Sequence, residues 1–440
     1  MGTKSLNRFL ILGILSLSIL FIFHNIAVSG SYAIKNATIV TVTGATIENG
    51  ILVIEGDKIT AIETDVEIPA EAEVIDAQGL FVYPGLIDAF TTLGLSEIGA
   101  VTATQDAYEM GTYNPHIKAL VAINPHSVHI PISRVNGITT VLAAPGGGVI
   151  SGQCALINLN GWTAEEMNLK AAVGICINFP RMPRKDDFAR GREQSQQELS
   201  KAKERTEKQL KELKEVFKKA KRYAARWDEY LKSQKPPAPD QDLILEALLP
   251  AIKKQLPVII SVSAEEDIKN AVEFVNELEL KAIFQGVEDG WKVASLLNKN
   301  NIPVLVGPVL RSPGDKDPYD ARFANAAALN RAGVKIAFLT RSAADVRNLP
   351  YHAGTAATFG LPKEETLKAI TIYPAEIFGV SDMIGSLEVG KLANVIVTDG
   401  DPLETLTQVK FLFIAGEKIP LESKHTKLYE KFRKRPVVKK

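Results

Sequence analysis

Short apolar runs, separated by polar stretches with helical spacing, set the pattern of the middle of the chain. Residues 86–90, 138–144, 172–178, 258–264, 282–285, 304–307 and 336–340 are such runs. A strand that is apolar at successive positions has both faces covered, as in a parallel sheet flanked by helices. Helix-forming stretches fall between most of the runs, 266–278 and 290–299 among them. This alternation, kept up over about 290 residues, predicts an α/β barrel or a doubly wound sheet. Seven strands are legible; an eighth is not.

The ends read differently. Residues 38–42, 51–54 and 59–62 are β-rich, and Gly56-Asp57-Lys58 between the last two is a hairpin signal. Toward the C-terminus 393–398 and 411–414 are β-like, with a turn at Gly416-Glu417-Lys418. Residues 185–235 break the rhythm, being crowded with Lys, Arg, Glu and Gln. There Leu213, Phe217, Ala220, Ala224, Trp227 and Leu231 recur at steps of four and three, which makes one stripe on a long helix. Pro236-Pro237 stops it. The insertion either packs by that stripe on the outside of the domain or offers it to a second copy in a homo-oligomer. Its charges are mixed in sign, and over the chain 51 basic residues balance 51 acidic ones. No nucleic-acid partner is expected from that balance.

At the N-terminus Lys4 and Arg8 precede an apolar run over 9–23, followed by Ala27, Ser29 and Gly30. Basic, apolar, then small is the order of a secretory signal peptide. Cleavage is expected near Ser29 or Ser31, with the mature chain periplasmic or secreted; the alternative is a membrane anchor left uncleaved. An oxidising compartment would permit a bridge between the two cysteines, Cys154 and Cys176. Both lie in apolar runs, where a free thiol serves as a small buried hydrophobe.

The segment Tyr83-Pro84-Gly85-Leu86-Ile87-Asp88-Ala89-Phe90-Thr91-Thr92-Leu93-Gly94 resembles the first barrel strand of the amidohydrolase superfamily, P-G-L-I-D-x-H-x-H-x-G. Near the other end, GSLEVGKLANVIVTDGDPL at 385–403 is similar to that superfamily's G-S-x-x-x-G-K-x-A-D-x-V-x-x-D-x-D-P, with Asn394 at the Asp. Thr371-Ile372-Tyr373-Pro374-Ala375 resembles its T-x-N-x-A helix. Among its branches the imidazolonepropionase-like one looks nearest. The resemblance implies a TIM-like (β/α)8 barrel over 83–380, interrupted by the insertion 185–235. It also implies a small composite β-sandwich from 31–82 and 381–424, leaving 1–30 as the leader and 425–440 as a basic tail. In such proteins a divalent metal such as zinc, held by histidines and a carboxylate, activates water to hydrolyse non-peptide C–N bonds.

The motifs place other residues where the metal ligands belong. The first strand offers Phe90 and Thr92 for its two histidines. VIISVSAEEDI at 258–268 resembles V-x-x-H-x-H-x-x-x-D-I, with Ser261 and Ser263 at the histidines. AIFQGVEDG has Gln285 before its glycine where the superfamily has histidine, and IAFLTRSAAD has Arg341 at the aspartate. Phenylalanine offers a metal no lone pair, and arginine is a permanent cation. No metal centre is expected, although the superfamily implies one.

By the same alignment these six residues line the barrel mouth, where Arg341 suits a small polar or anionic ligand. Glu265 and Glu288, beyond strand ends, are weak candidates for a catalytic base, since acidic residues at helix starts also serve the helix dipole. His126 and His129 have the spacing of a shared helix face, but two ligands make no site. Asp88 faces away from Ala89 in a strand. The glycine-rich 145–153 lacks a phosphate-loop ending and reads as a barrel-top loop, donating backbone N–H groups to a ligand. The expected function is that of an exported amidohydrolase-like protein that binds a ligand without catalysis. The alternative is an active hydrolase of a C–N or related bond, with a remodelled, metal-independent site.

Overall fold

The computed structural model describes residues 30–184, 192–234, 237–314 and 317–436. The expected leader, apart from Gly30, and Pro236 lie outside them. The β-rich N-terminal segment forms β1 (Ser31–Ile39), β2 (Ile47–Glu55), β3 (Lys58–Glu63), β4 (Glu73–Asp76) and β5 (Phe81–Pro84). The signal at 56–58 is the β2–β3 hairpin, with Gly56 at φ +66°, a conformation that glycine enters without steric cost.

The apolar runs become β6 (Leu86–Thr91), β7 (Ile138–Ala143), β9 (Asn168–Asn178), β10 (Val258–Val262), β11 (Ala282–Gly286), β12 (Val304–Val306) and β13 (Ile336–Phe338). The eighth strand is β8 (Ile150–Asn158), which starts inside the segment expected to be a loop. One sheet runs β13-β12-β11-β10-β9-β8-β7-β6. β8 is antiparallel to both β7 and β9, so the TIM-like barrel is not uniformly parallel. The apolar pattern hides β8 because its start is polar: the Gln153 side chain donates to the Pro115 carbonyl (3.0 Å) and its N–H to that of Ile117 (2.8 Å).

Helices cover the barrel. α1 (His129–Arg134) leads into β7, and α2 (Ala164–Met167) links β8 to β9. α3 (Arg192–Ser233) and α4 (Leu243–Ile252) form the insertion before β10. α5 (Glu265–Leu278), α6 (Gly290–Lys299) and α7 (Ala321–Arg331) follow β10, β11 and β12. α8 (Leu349–Thr358), α9 (Lys363–Lys368) and α10 (Ile372–Phe378) follow β13. Alternate strand residues sort into two cores. Ile87, Ala89, Leu142, Ile259, Ile283, Leu305 and Ala337 pack together inside with Phe378. Ile138, Ile260, Phe284 and Phe338 pack outward with the helices.

Closure joins β6 to the end of β13. The Arg341 N–H donates to the Phe90 carbonyl (3.0 Å) and the Thr92 N–H to that of Arg341 (3.1 Å). Below, Ile87 and Phe338 donate instead to Ile370 and Ala369, because β13 is short. Asp88 fills the gap. Its carboxylate, fully buried in this seam, accepts from the N–H groups of Phe90 (3.1 Å) and Thr340 (3.2 Å) and from the Thr340 hydroxyl (2.5 Å). Burial pushes its pKa up to about 7, against the pull of these three donors.

β14 (Val395–Thr398), β15 (Val409–Ile414) and β16 (Glu417–Lys418) complete the first sheet, in the order β16-β15-β14-β5-β1-β2-β3. β1 also pairs with β4 through its first half and with β5 through its second. The expected β-sandwich is therefore one branched sheet round a shared core that includes Ile34, Leu52, Ile75, Val82, Val395 and Phe413. Asn394 ties this unit to the barrel: its amide donates to Thr140 Oγ1 (3.2 Å) and Asn158 Oδ1 (2.9 Å) and accepts from the Ala415 N–H (2.8 Å). An aspartate there would have no hydrogens to donate. The basic end, expected to be a tail, is helical over α11 (Lys424–Arg433), started by a Ser423–Thr426 capping box.

The stripe on α3 faces its own chain. Leu213, Phe217, Ala220 and Ala224 are buried, whereas Leu231 is 59% exposed. Phe217 and Phe179 both pack edge-on against Phe274 of α5, with ring centroids 5.6 Å apart. Glu277 of α5 takes Lys214 (2.5 Å) and Lys218 (3.1 Å) from the flank of the stripe. Cys154 and Cys176 are free and buried on neighbouring strands inside the barrel. The adjacent Cys154 thiol and burial push the Cys176 thiol well above its ordinary value, which suppresses thiolate chemistry.

Candidate functional site

Strand alternation brings the residues at the motif positions to one end of the barrel. Ser261 and Ser263 share the parity of interior Ile259, and Gln285 that of interior Ile283. The Gln285 amide donates to Ser261 Oγ across the β10–β11 pair. Arg341 donates through Nη2 to Gln285 Oε1 (3.2 Å). A polar chain from Arg341 through Gln285 to Ser261 thus spans three strand ends. Phe90, half-buried, packs on the interior core. Thr92 Oγ1 accepts from the Ala343 N–H (3.3 Å) and holds the loop after Arg341. Ser263 accepts the Asp289 N–H on its carbonyl (2.9 Å).

Two non-glycine residues here have positive φ, Arg341 at +71° and Val287, following Gly286, at +45°. Such conformations are uncommon outside glycine, most so for a β-branched residue such as Val287, and cost about 1–3 kcal/mol each. Gly286, itself at φ +90°, leaves room that a Cβ would fill at 3.0 Å from the Val262 carbonyl and 3.9 Å from Arg341 Nη2.

Arg341 has no ion-pair partner among the described residues. Desolvation by the mouth walls lowers its pKa, as does the Arg311 guanidinium, while Glu288 and Tyr108 act in the opposite direction. Arg311 and Tyr108, which the motifs do not reveal, thus lie near enough to act on Arg341 through their charge. Arg311 comes from the loop after β12, the kind of position from which barrel sites draw their groups.

The two carboxylates considered as bases are both engaged. Glu265 pairs with Lys269 one turn along α5 (2.6 Å). Both oxygens of Glu288 accept from Arg322 (2.7 and 2.8 Å). Asp289 instead caps α5 through the Glu265 N–H (3.0 Å) and pairs with Lys292 (2.8 Å).

The histidines do not converge. His126 lies before α1, which begins only at His129, so the two share no helix face. His129 Nε2 meets the Glu97 carbonyl (3.0 Å). His352 is buried, accepts the Val309 N–H on Nδ1 (2.9 Å), and is held neutral as desolvation brings its pKa down to about 4. No group of three or more His, Cys, Asp or Glu among the described residues is arranged to hold a metal ion. The donors at the mouth are hydroxyls, an amide already bonded on both ends, and a guanidinium. They do not fit a divalent cation, which takes imidazole, carboxylate or thiolate.

Two N–H groups of the glycine-rich segment are bonded within the protein: Gly146 donates to Ala107 (2.6 Å) and Val149 to Thr112 (2.7 Å). Asn178 at the end of β9 donates to the Gly148 carbonyl (3.0 Å). A cavity of about 420 Å³ opens beside it, lined by Gly148, Asn178, Phe179, Arg181 and Gln209 among others.

An eight-stranded barrel with a β domain built from both chain ends, and with its candidate site at the strand ends, defines a class of barrel proteins whose sites are built at one end of the barrel. Residues 136–419 match the model of the Amidohydrolase family, and the chain belongs to that family. It is 26% identical to an amidohydrolase from Thermotoga maritima MSB8, whose crystal structure superposes with a TM-score of 0.77 over 88% of this chain and 99% of that one. It is 23% identical over 80% of its length to the amidohydrolase tasK of Hapsidospora irregularis, of which it spans 38%. A D-hydantoinase of Geobacillus stearothermophilus is 44% identical over 79 residues, which cover 18% of this chain and 16% of that protein. The chain thus spans well under half the length of either curated relative.

Proposed function

We propose that this amidohydrolase-family barrel binds a small polar or anionic ligand at its mouth through Arg341 and does not carry out metal-dependent hydrolysis. The supporting observation is the Arg341–Gln285–Ser261 chain at the positions where the family motif has metal ligands. The chain holds a guanidinium in place with neutral partners only. A carboxylate or phosphate reaching the mouth would supply the missing countercharge, through charge-assisted bonds that are stronger in a partly desolvated site. The leader-like N-terminus supports a location outside the cytoplasm, and sequencing the N-terminus of the chain from the exported fraction tests it.

The test at the mouth is a thermal-shift screen of small carboxylates and phosphates, followed by calorimetry on any hit. Arg341→Ala is expected to weaken a hit by about tenfold or more, the worth of one hydrogen bond to a charged group. Unchanged affinity would remove Arg341 from the reading. Metal analysis of the purified chain is the second arm: one tightly held divalent ion per chain would overturn the loss of the metal centre.

The names of the relatives favour a second reading, hydrolysis of a C–N bond by a remodelled site. It requires turnover of an amide or hydantoin panel that survives chelation and is lost in Ser263→Ala, Glu265→Gln or Glu288→Gln.

A further inference from the structure

Arg341 reaches across a strand. Its backbone stands at the β6–β13 seam, while its Nη2 donates to Gln285 Oε1 on β11 (3.2 Å). β12 lies between β11 and β13 in the sheet, so the side chain crosses the end of β12. The loop that leaves this end carries Arg311.

That loop is pinned from below. Nδ1 of the buried His352 accepts the N–H groups of Val309 (2.9 Å) and Leu310 (3.4 Å), and the Arg311 N–H closes a turn onto the Val309 carbonyl (2.8 Å). The Arg311 charge bears on both Arg341 and His352. Neither arginine has an ion pair among the described residues. Glu288, the acid whose charge acts on Arg341, is held through both oxygens by Arg322. Asp345 acts on the His352 ring but lies within ion-pair distance of neither arginine.

Two guanidiniums brought to one end of a barrel without an acid between them repel each other, and a partly desolvated site screens the repulsion poorly. Local costs left uncompensated mark functional positions. Apolar surface accompanies the pair: Phe90 is half-buried at the mouth, and Leu310, beside Arg311, is 47% exposed. We infer that the mouth selects an organic dicarboxylate, with one carboxylate on Arg341, the other on Arg311, and the carbon chain against Phe90 and Leu310. This rests on the reading of the mouth as an anion site and adds the class of ligand. Each guanidinium can take one carboxylate in a fork. A monocarboxylate would leave one arginine unanswered, and inorganic phosphate would make no use of the apolar side chains.

The test is calorimetry on the full chain with succinate, glutarate and adipate, each beside the monocarboxylate of equal length, butyrate, valerate and hexanoate. At least one dicarboxylate is expected to bind about tenfold or more tighter than its monocarboxylate, the worth of a second charged hydrogen bond. Arg311→Ala, a change at an exposed side chain, should abolish that excess and leave monocarboxylate affinity within about twofold. Arg341→Ala should weaken both classes. Equal affinity for the two classes, or an excess that survives Arg311→Ala, overturns the dicarboxylate while leaving the anion site standing. Binding of neither class, or binding that Arg341→Ala leaves untouched, overturns the anion site and this inference with it.

Discussion

Asp88→Asn is expected to match the parent chain in stability near pH 4 and to exceed it increasingly as pH rises. In the seam between β6 and the end of β13 the Asp88 pKa is about 7, against 3.8 unperturbed. Between these values the folded chain keeps a proton that the unfolded chain releases. Stability therefore falls as pH rises through that window, by about 1.4 kcal/mol per unit and about 4 kcal/mol in all, and the loss is complete above pH 7. Asparagine preserves the geometry. Its Oδ1 can accept the Phe90 and Thr340 N–H groups, and its amide can donate to the Thr340 hydroxyl, which turns to accept. Urea midpoints at pH 4, 6 and 8 check this: parallel pH profiles for the two chains would show that Asp88 does not titrate in the seam. Asp88→Ala should destabilise at every pH, since three buried donors lose their acceptor at about 1–3 kcal/mol each.

Phe274→Ala should cost about 3–5 kcal/mol, the usual range for deleting a buried aromatic. Phe274 is fully buried on α5 and touches both Phe179, just past β9, and Phe217 in the middle of α3. Its loss opens a cavity at the junction of barrel and insertion and removes two edge-to-face contacts. Limited proteolysis should then cut within α3 sooner than in the parent chain, and chemical denaturation should show the fall in stability. Leu231→Ala, on the exposed end of the same stripe, should stay within about 0.5 kcal/mol. Equal effects of the two changes would mean that the stripe is not anchored through Phe274.

Legibility in the sequence followed burial. β6, β7, the second half of β9 and β10–β13 are covered on both faces, so their apolar runs stand out. β8 is covered as fully but opens on Ser151-Gly152-Gln153 after a glycine cluster, and nothing local distinguishes that from a loop. The helical stripe from Leu213 to Ala224 was readable because spacing alone defines a helix face; that α4 and α5 pack against this helix was not. The basic end read as a tail because α11 buries none of its residues, which leaves no apolar period to find. The sequence also gives no sign that Glu288 is clamped by Arg322, or that His126 falls outside the helix that begins at His129.

By itself, the sequence determined the barrel and the β domain from both chain ends, because these depend on apolar periodicity and on residue identity at motif positions. The tertiary structure alone decided how the residues at the barrel mouth are held. Hydrogen bonding of Gln285 to Ser261 and of Arg341 to Gln285, and the burial of Asp88 in the seam beside Thr340, all join residues distant in the chain. Such contacts depend on how strands close and helices dock, and no local pattern records them.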